Sequence, residues 1–188
     1  MRLFLAVDPG AGLKSRLAAL PSRLESQDWD LRWTPPENLH LTLHFLGETP
    51  ENLLVDLHHD LAALASAQRP FDLKVSGLGV FPSWEDPRVL WVGVEDRAGK
   101  LEGLFRASLK VLNAYRLFKL REDFQQPHLT LARVGRLGAA WDPRRALAIA
   151  GQGGDLGILR VDEFYLMKSE LSPAGARYEV VEKFSLAH

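Results

Sequence analysis

The sequence predicts an α+β fold, in which hairpin-like strand pairs alternate with amphipathic helices. Three observations carry this expectation. Apolar runs of strand length are separated by Gly, Pro and Asp breaks, and leucines recur at helical spacing in three segments. The tetrapeptide His-Leu-Thr-Leu occurs twice, at 40–43 and 128–131, close to half the chain apart. That spacing predicts two related lobes, each with a sheet and helices, and each giving one motif strand to a central groove.

The elements follow in order. Residues 2–7 read as a strand stopped by Asp8-Pro9-Gly10. Leu13, Leu17, Leu20 and Leu24 mark a helix that Pro21 bends or ends. A short strand is expected at 29–33, and Pro35-Pro36 turns the chain before His40. Residues 40–46 form the first motif strand, closed by Gly47. Leu53, Leu57, Leu61 and Leu64 mark a second helix. Residues 71–80 and 88–94 read as strands around a turn at 82–87, and Leu101, Phe105, Leu109 and Leu112 as a third helix. The second motif strand spans 128–133. Six of the fifteen glycines fall between Gly135 and Gly157, which predicts a loop around one short helix at 142–150. Residues 159–168 and 177–186 read as a closing antiparallel pair.

Composition narrows the function. The chain has 188 residues, 46% apolar and 25% charged, enough for a real core. The absence of cysteine removes disulfides, thiolate metal sites and a Cys nucleophile, and it fits a cytoplasmic setting. Residues 1–8 meet the Asp-Pro-Gly break too soon for a signal peptide, and no run approaches the roughly 18 apolar residues of a membrane span. A net charge of −1 lacks the basic excess of non-specific nucleic-acid binders, so any RNA ligand is small or held by a local patch. Residues 116–121 are one such patch, or a solvated loop face. No extended apolar helix face is left over, and a monomer is expected. Signatures for P-loop, dinucleotide-binding, zinc-protease and serine-hydrolase sites are absent. Trp33, Trp84, Trp91 and Trp141 suit either base stacking or the core.

The motifs suggest chemistry. With six His and four Thr in the chain, chance supplies only about 0.1 His-x-Thr matches. On a strand, residues i and i+2 share a face, so each motif projects a His beside a Thr. Two imidazoles near their pKa can serve as acid and base, and each role contributes about 10²–10⁴ in rate. The hydroxyls of Thr42 and Thr130 can donate to a phosphoryl oxygen. Alternation also places His44 on the face of His40 and Thr42. A metal site of His40, His44 and His128 is the alternative, but neither motif brings an acidic ligand.

The stretches His40-Leu41-Thr42-Leu43-His44-Phe45-Leu46-Gly47-Glu48 and Pro127-His128-Leu129-Thr130-Leu131-Ala132-Arg133 resemble the 2H phosphoesterase superfamily, and within it the bacterial and archaeal RNA 2′,3′-cyclic phosphodiesterases, also called 2′-5′ RNA ligases. Residues 2–7, 88–93, 169–173 and 176–178 extend the likeness over nearly the full length. The resemblance implies one bilobal, pseudo-symmetric α+β domain of two interleaved lobes, with a V-shaped cleft between two antiparallel sheets. It implies metal-independent, cofactor-free opening of an RNA 2′,3′-cyclic phosphate, or of a small cyclic nucleotide, to a 2′-phosphate.

His40 and His128 carry over as the catalytic pair, with Thr42 and Thr130 as phosphate donors. His128 is assigned as the base and His40 as the acid that protonates O3′, with the opposite division open. Arg133 carries over as a phosphate or nucleotide contact and Phe45 as a stacking residue, although plain alternation puts both on the faces opposite their histidines. His44 stands where the family often has Lys. On the groove it would make the local positive charge depend on pH. The same histidines would run the reverse reaction, 2′-5′ ligation, and a groove that captures RNA ends without turnover is the non-enzymatic alternative.

Overall fold

The computed structural model describes residues 1–20, 30–135, 154–172 and 175–187. The predicted helix at 142–150, together with Leu24, Trp29 and Trp141, lies outside them. Among the described residues, nine strands form two sheets. The first has the order β3-β1-β8-β9 and the second β2-β6-β5-β4-β7, with every neighbouring pair antiparallel. Strand β1 (Arg2–Val7) is flanked on both sides, and its Leu-Phe-Leu-Ala-Val run is buried throughout. A strand covered on both faces needs an unbroken apolar run, which is how this segment reads.

Among the described residues, three α-helices pack on the sheets. Helix α1 (Gly10–Ala18) starts where the Asp8 carboxylate accepts the Gly10 N–H at 2.7 Å, and it buries Leu13 and Leu17 over β7. Helix α2 (Leu54–Ser66) buries Leu57, Leu61 and Ala65 and lies on β9. Helix α3 (Lys100–Asn113) is capped by Asp96, which accepts the N–H groups of Lys100 and Glu102 at 2.8 and 2.9 Å. It buries Leu101, Leu104, Phe105, Ser108 and Leu112.

Strands β2 (Leu31–Trp33), β4 (Phe71–Pro82), β5 (Pro87–Glu95) and β9 (Gly175–Ser185) match the expected runs to within a few residues. The segment predicted as one strand at 159–168 is instead two. Strand β7 (Asp155–Val161) joins the second sheet and β8 (Glu163–Ser172) the first, with the crossing at Asp162. The buried positions shift phase there, from Leu159 and Val161 to Phe164 and Leu166, which one flat strand cannot accommodate. The first sheet thus combines β1 and β3 with the last two strands. The motif strands β3 (Leu41–Glu48) and β6 (His128–Val134) pack against each other where the sheets meet.

Candidate active site

Each motif strand carries an extra residue at the same place, and β3 has a second at Leu46. Thr42 lies opposite Ala6, and the next pair is His44 with Leu5, so Leu43 is bulged out of register. In β6, Thr130 lies opposite Trp91 and Ala132 opposite Leu90, so Leu131 is the extra residue. A bulge sets two residues against one and reverses the alternation beyond it. Leu43 and His44 are therefore both buried, as are Leu131 and Ala132, and the next residue, Phe45 or Arg133, returns to the exposed side.

The bulges resolve the objection raised by plain alternation. One cavity of about 370 Å³ is lined by His40, Thr42, Phe45, His128, Thr130 and Arg133 together. Six of the seven expected site residues thus meet in one groove, and His44 is the exception. It is turned into the core at 3% exposure, stacked on Phe105 with centroids 4.3 Å apart. Its Nε2 lies 2.9 Å from Ser108 Oγ and 3.0 Å from the Phe105 carbonyl. Ser108 itself donates to helix carbonyls, so the imidazole N–H is the donor to this pair. His44 thus does not line this groove but an adjoining cavity, and among the described residues the His40/His44/His128 trio does not assemble.

The two motif histidines are held alike. His40 Nδ1–H donates to the Asn38 carbonyl at 2.7 Å, and His128 Nδ1–H donates to the Gln126 carbonyl at 2.9 Å. Each bond fixes the tautomer and leaves Nε2 as the free nitrogen. Aromatic rings brace both. Phe4 and Tyr178 each sit 5.0 Å from the His40 centroid, while Phe81 and Trp91 sit 4.9 and 5.9 Å from that of His128. Burial lowers the pKa of His40 below its ordinary value. The bond to Asn38 opposes this, Lys14 and His128 push further down, and Asp8 pulls back. Burial thus shifts the His40 equilibrium toward neutral imidazole.

Asn38 and Tyr178 escaped the sequence reading. Asn38 Nδ2–H donates to the Ala176 carbonyl at 3.0 Å, tying the His40 support to β9. Tyr178, two residues on, lines the groove, and its hydroxyl has no hydrogen-bond partner among the described residues. A strand pattern gives no sign that a C-terminal hairpin reaches an N-terminal motif. Among the described residues, no group of three or more His, Cys, Asp or Glu is placed to hold a metal ion, and no helix is long and apolar enough to cross a membrane.

Residues 7–91 match the sequence model of the LigT-like phosphoesterases. A protein of Methanothermobacter thermautotrophicus named RNA 2′,3′-cyclic phosphodiesterase is 34% identical over 99% of both chains. One of the same name from Thermus thermophilus is 38% identical over 99% of this chain and 90% of its own. A crystal structure of a Thermus thermophilus protein superposes with a TM-score of 0.80 at 31% identity, covering 99% of this chain and 98% of that one. E. coli LigT complexed with 3′-AMP shares the fold at a TM-score of 0.73 and 23% identity, over all of this chain and 98% of its own. Full-length likeness to these relatives, with both motifs in one groove, makes the chain a member of the LigT-like phosphoesterase family of the 2H superfamily.

Proposed function

We propose that this protein hydrolyses RNA 2′,3′-cyclic phosphate ends to 2′-phosphates without a metal ion, using His40 and His128 as a general acid/base pair. The observation that supports this most is the pairing of two imidazoles, each presenting Nε2, with two Thr hydroxyls on one groove. The full-length relatives named RNA 2′,3′-cyclic phosphodiesterase support the substrate class.

In the proposed reaction, His128 Nε2 takes a proton from water as its oxygen attacks phosphorus. The P–O3′ bond breaks and O3′ receives a proton from the His40 imidazolium, leaving the phosphate on O2′. A lowered pKa makes His40 the stronger donor, and the bound phosphodiester anion favours its protonated form. Thr42 and Thr130 donate to the non-bridging oxygens. Both motif strands offer the same His, Thr and bulge, so the groove alone is nearly indifferent to substrate direction. Phe45 on one strand and Arg133 on the other supply the asymmetry.

The test is incubation in EDTA with a short RNA ending in a 2′,3′-cyclic phosphate, resolving 2′- from 3′-phosphate products. Wild type is expected to yield the 2′-phosphate. His40→Ala and His128→Ala are each expected to lose about 10²–10⁴ in rate. Full activity in either variant, or turnover that EDTA abolishes, sinks this mechanism.

A further inference from the structure

The groove extends well past the four motif side chains, and much of its remaining wall belongs to β1, β8 and β9. No Asp or Glu among the described residues lines it, although the chain carries 24 of them and a net charge of −1. An anion is therefore the ligand this wall suits. The strands of the first sheet bring Arg2, Lys168, Arg177 and Lys183, and among the described residues Arg2 is the one of these that lines the groove. Lys168 is paired with Glu170 at 2.6 Å and Lys183 with Glu163 at 3.1 Å. Arg2 is exposed and has no ion-pair partner among the described residues. Glu48, beside it in the ladder, pairs with the Met1 amino group at 3.6 Å.

Arg2 also stands in a row of donors. Cross-strand register sets Ser169 opposite Tyr178, and the step beyond Leu3 and Lys168 sets Arg2 beside Ser169. All three line the groove, and neither hydroxyl has a hydrogen-bond partner among the described residues. Neighbouring strands lie about 4.8 Å apart, so the row runs about 10 Å across the sheet. Its Tyr178 end touches His40, with ring centroids 5.0 Å apart.

We propose that Arg2, Ser169 and Tyr178 form a subsite for the phosphoryl group on O5′ of the nucleoside that carries the cyclic phosphate. In an RNA end that group is the last internucleotide diester. The inference rests on the phosphodiesterase reading of the groove, with His40 as its acid. The bonding of ribose supplies the direction. His40 protonates O3′, C3′ is bonded to C4′, and C4′ carries C5′ with its phosphate. The 5′ phosphate therefore hangs on the His40 side of the sugar, along the wall where the row lies. With His128 as the acid, the same bonds would send it toward β6 and Arg133. Contact with Arg2 thus fixes the histidine roles together with the orientation of the substrate, which the twin motifs by themselves leave open. A guanidinium and two hydroxyls present several donors to the non-bridging oxygens, so an uncharged 5′ link costs turnover.

The experiment compares a diadenosine ending in a 2′,3′-cyclic phosphate with its analogue whose internucleotide link is an uncharged methylphosphonate. From the worth of one charge-assisted hydrogen bond, kcat/KM is expected to favour the charged link about tenfold. The advantage should shrink as salt is raised. Arg2→Gln should bring the ratio close to one, and Ser169→Ala should lower it partway. Arg177→Gln removes the same charge from the opposite face of β9 and should preserve the ratio. Calorimetric affinities for adenosine 2′,5′-bisphosphate and adenosine 2′-monophosphate supply the comparison without turnover. Equal rates for the two links, with equal affinities for the two ligands, overturn the subsite and leave the phosphodiesterase intact. A ratio that survives Arg2→Gln overturns it too, and its loss in Arg133→Gln would then exchange the roles of the histidines. An affinity ratio that Arg2→Gln abolishes, in a protein without hydrolysis, supports the subsite and overturns the activity instead.

Discussion

His44→Leu separates a core histidine from a groove histidine. The substitution removes the N–H shared by Ser108 and the Phe105 carbonyl and the stack at 4.3 Å. Ser108 retains its bonds to Leu104 and Phe105, so no buried group is orphaned. The lost hydrogen bonding costs about 1 kcal/mol and the lost ring stack roughly 0.5–1.5 kcal/mol. For a chain of this length the sum lowers Tm by roughly 3–10 °C.

The pH dependence carries a definite sign. Burial holds the folded-state pKa of His44 below 6.5, with the Phe105 carbonyl pulling weakly upward. The unfolded chain takes up the proton first, near 6.5. Stability is therefore complete above that value and is lost as pH falls toward the folded pKa, by at most about 1.4 kcal/mol per pH unit for one histidine. Urea unfolding at pH 7.5 and 5.5 should show wild type losing more stability than the variant, with His40 supplying the remainder. The folded variant should retain turnover at pH 7, because His44 does not line the groove that holds His40 and His128. Equal acid sensitivity in the two proteins, or a folded variant without activity, would refute the core assignment.

Three further predictions test the histidine supports. A Cβ at Gly79 would overlap the Trp91 ring, which braces His128. Gly79→Ala should therefore cost about 1–3 kcal/mol in chemical denaturation and reduce kcat as well. Tyr178→Phe keeps the edge contact to His40 and removes only the hydroxyl, which has no hydrogen-bond partner among the described residues. If that hydroxyl meets the phosphate, kcat/KM should fall about fivefold, the value of one hydrogen bond, at unchanged Tm. By NMR, the His40 ring should titrate below 6.5 in the free protein and move upward when inorganic phosphate is added, since an anion favours imidazolium. A midpoint at or above 6.5 without phosphate contradicts the burial argument.

The legible part of the chain is what local pattern encodes. Leu57, Leu61, Leu101 and Leu112 repeat at helical spacing and are all buried. The doubled motif gave the groove its His and Thr pairs because positions i and i+2 remain on one face until the bulge. The bulges themselves were illegible. Leu43 and Leu131 are ordinary apolar residues, and nothing local marks them as extra, so alternation sent His44 to the groove and Phe45 and Arg133 away from it. Ser108 was passed over on α3 because a lone serine in a helix usually faces water, yet here it receives His44. The crossing at Asp162 lacks any Gly or Pro, and only the phase shift of the buried residues would have betrayed it.

The pairing of β1 with both β3 and β8 has a consequence for how the protein forms. Leu3 lies beside Gly47 on one side and Lys168 on the other. Until β8 and β9 arrive, the first motif stands on a two-stranded ribbon, which is marginal alone in water. Closing a loop of such length must precede its reward, and folding dominated by non-local pairing takes milliseconds to seconds. On the ribosome, at about 5–20 residues per second, β9 follows His40 by on the order of ten seconds. The groove is therefore among the last parts of the molecule to exist, and a nascent chain that already displays its first His-Leu-Thr-Leu has not yet built the wall opposite.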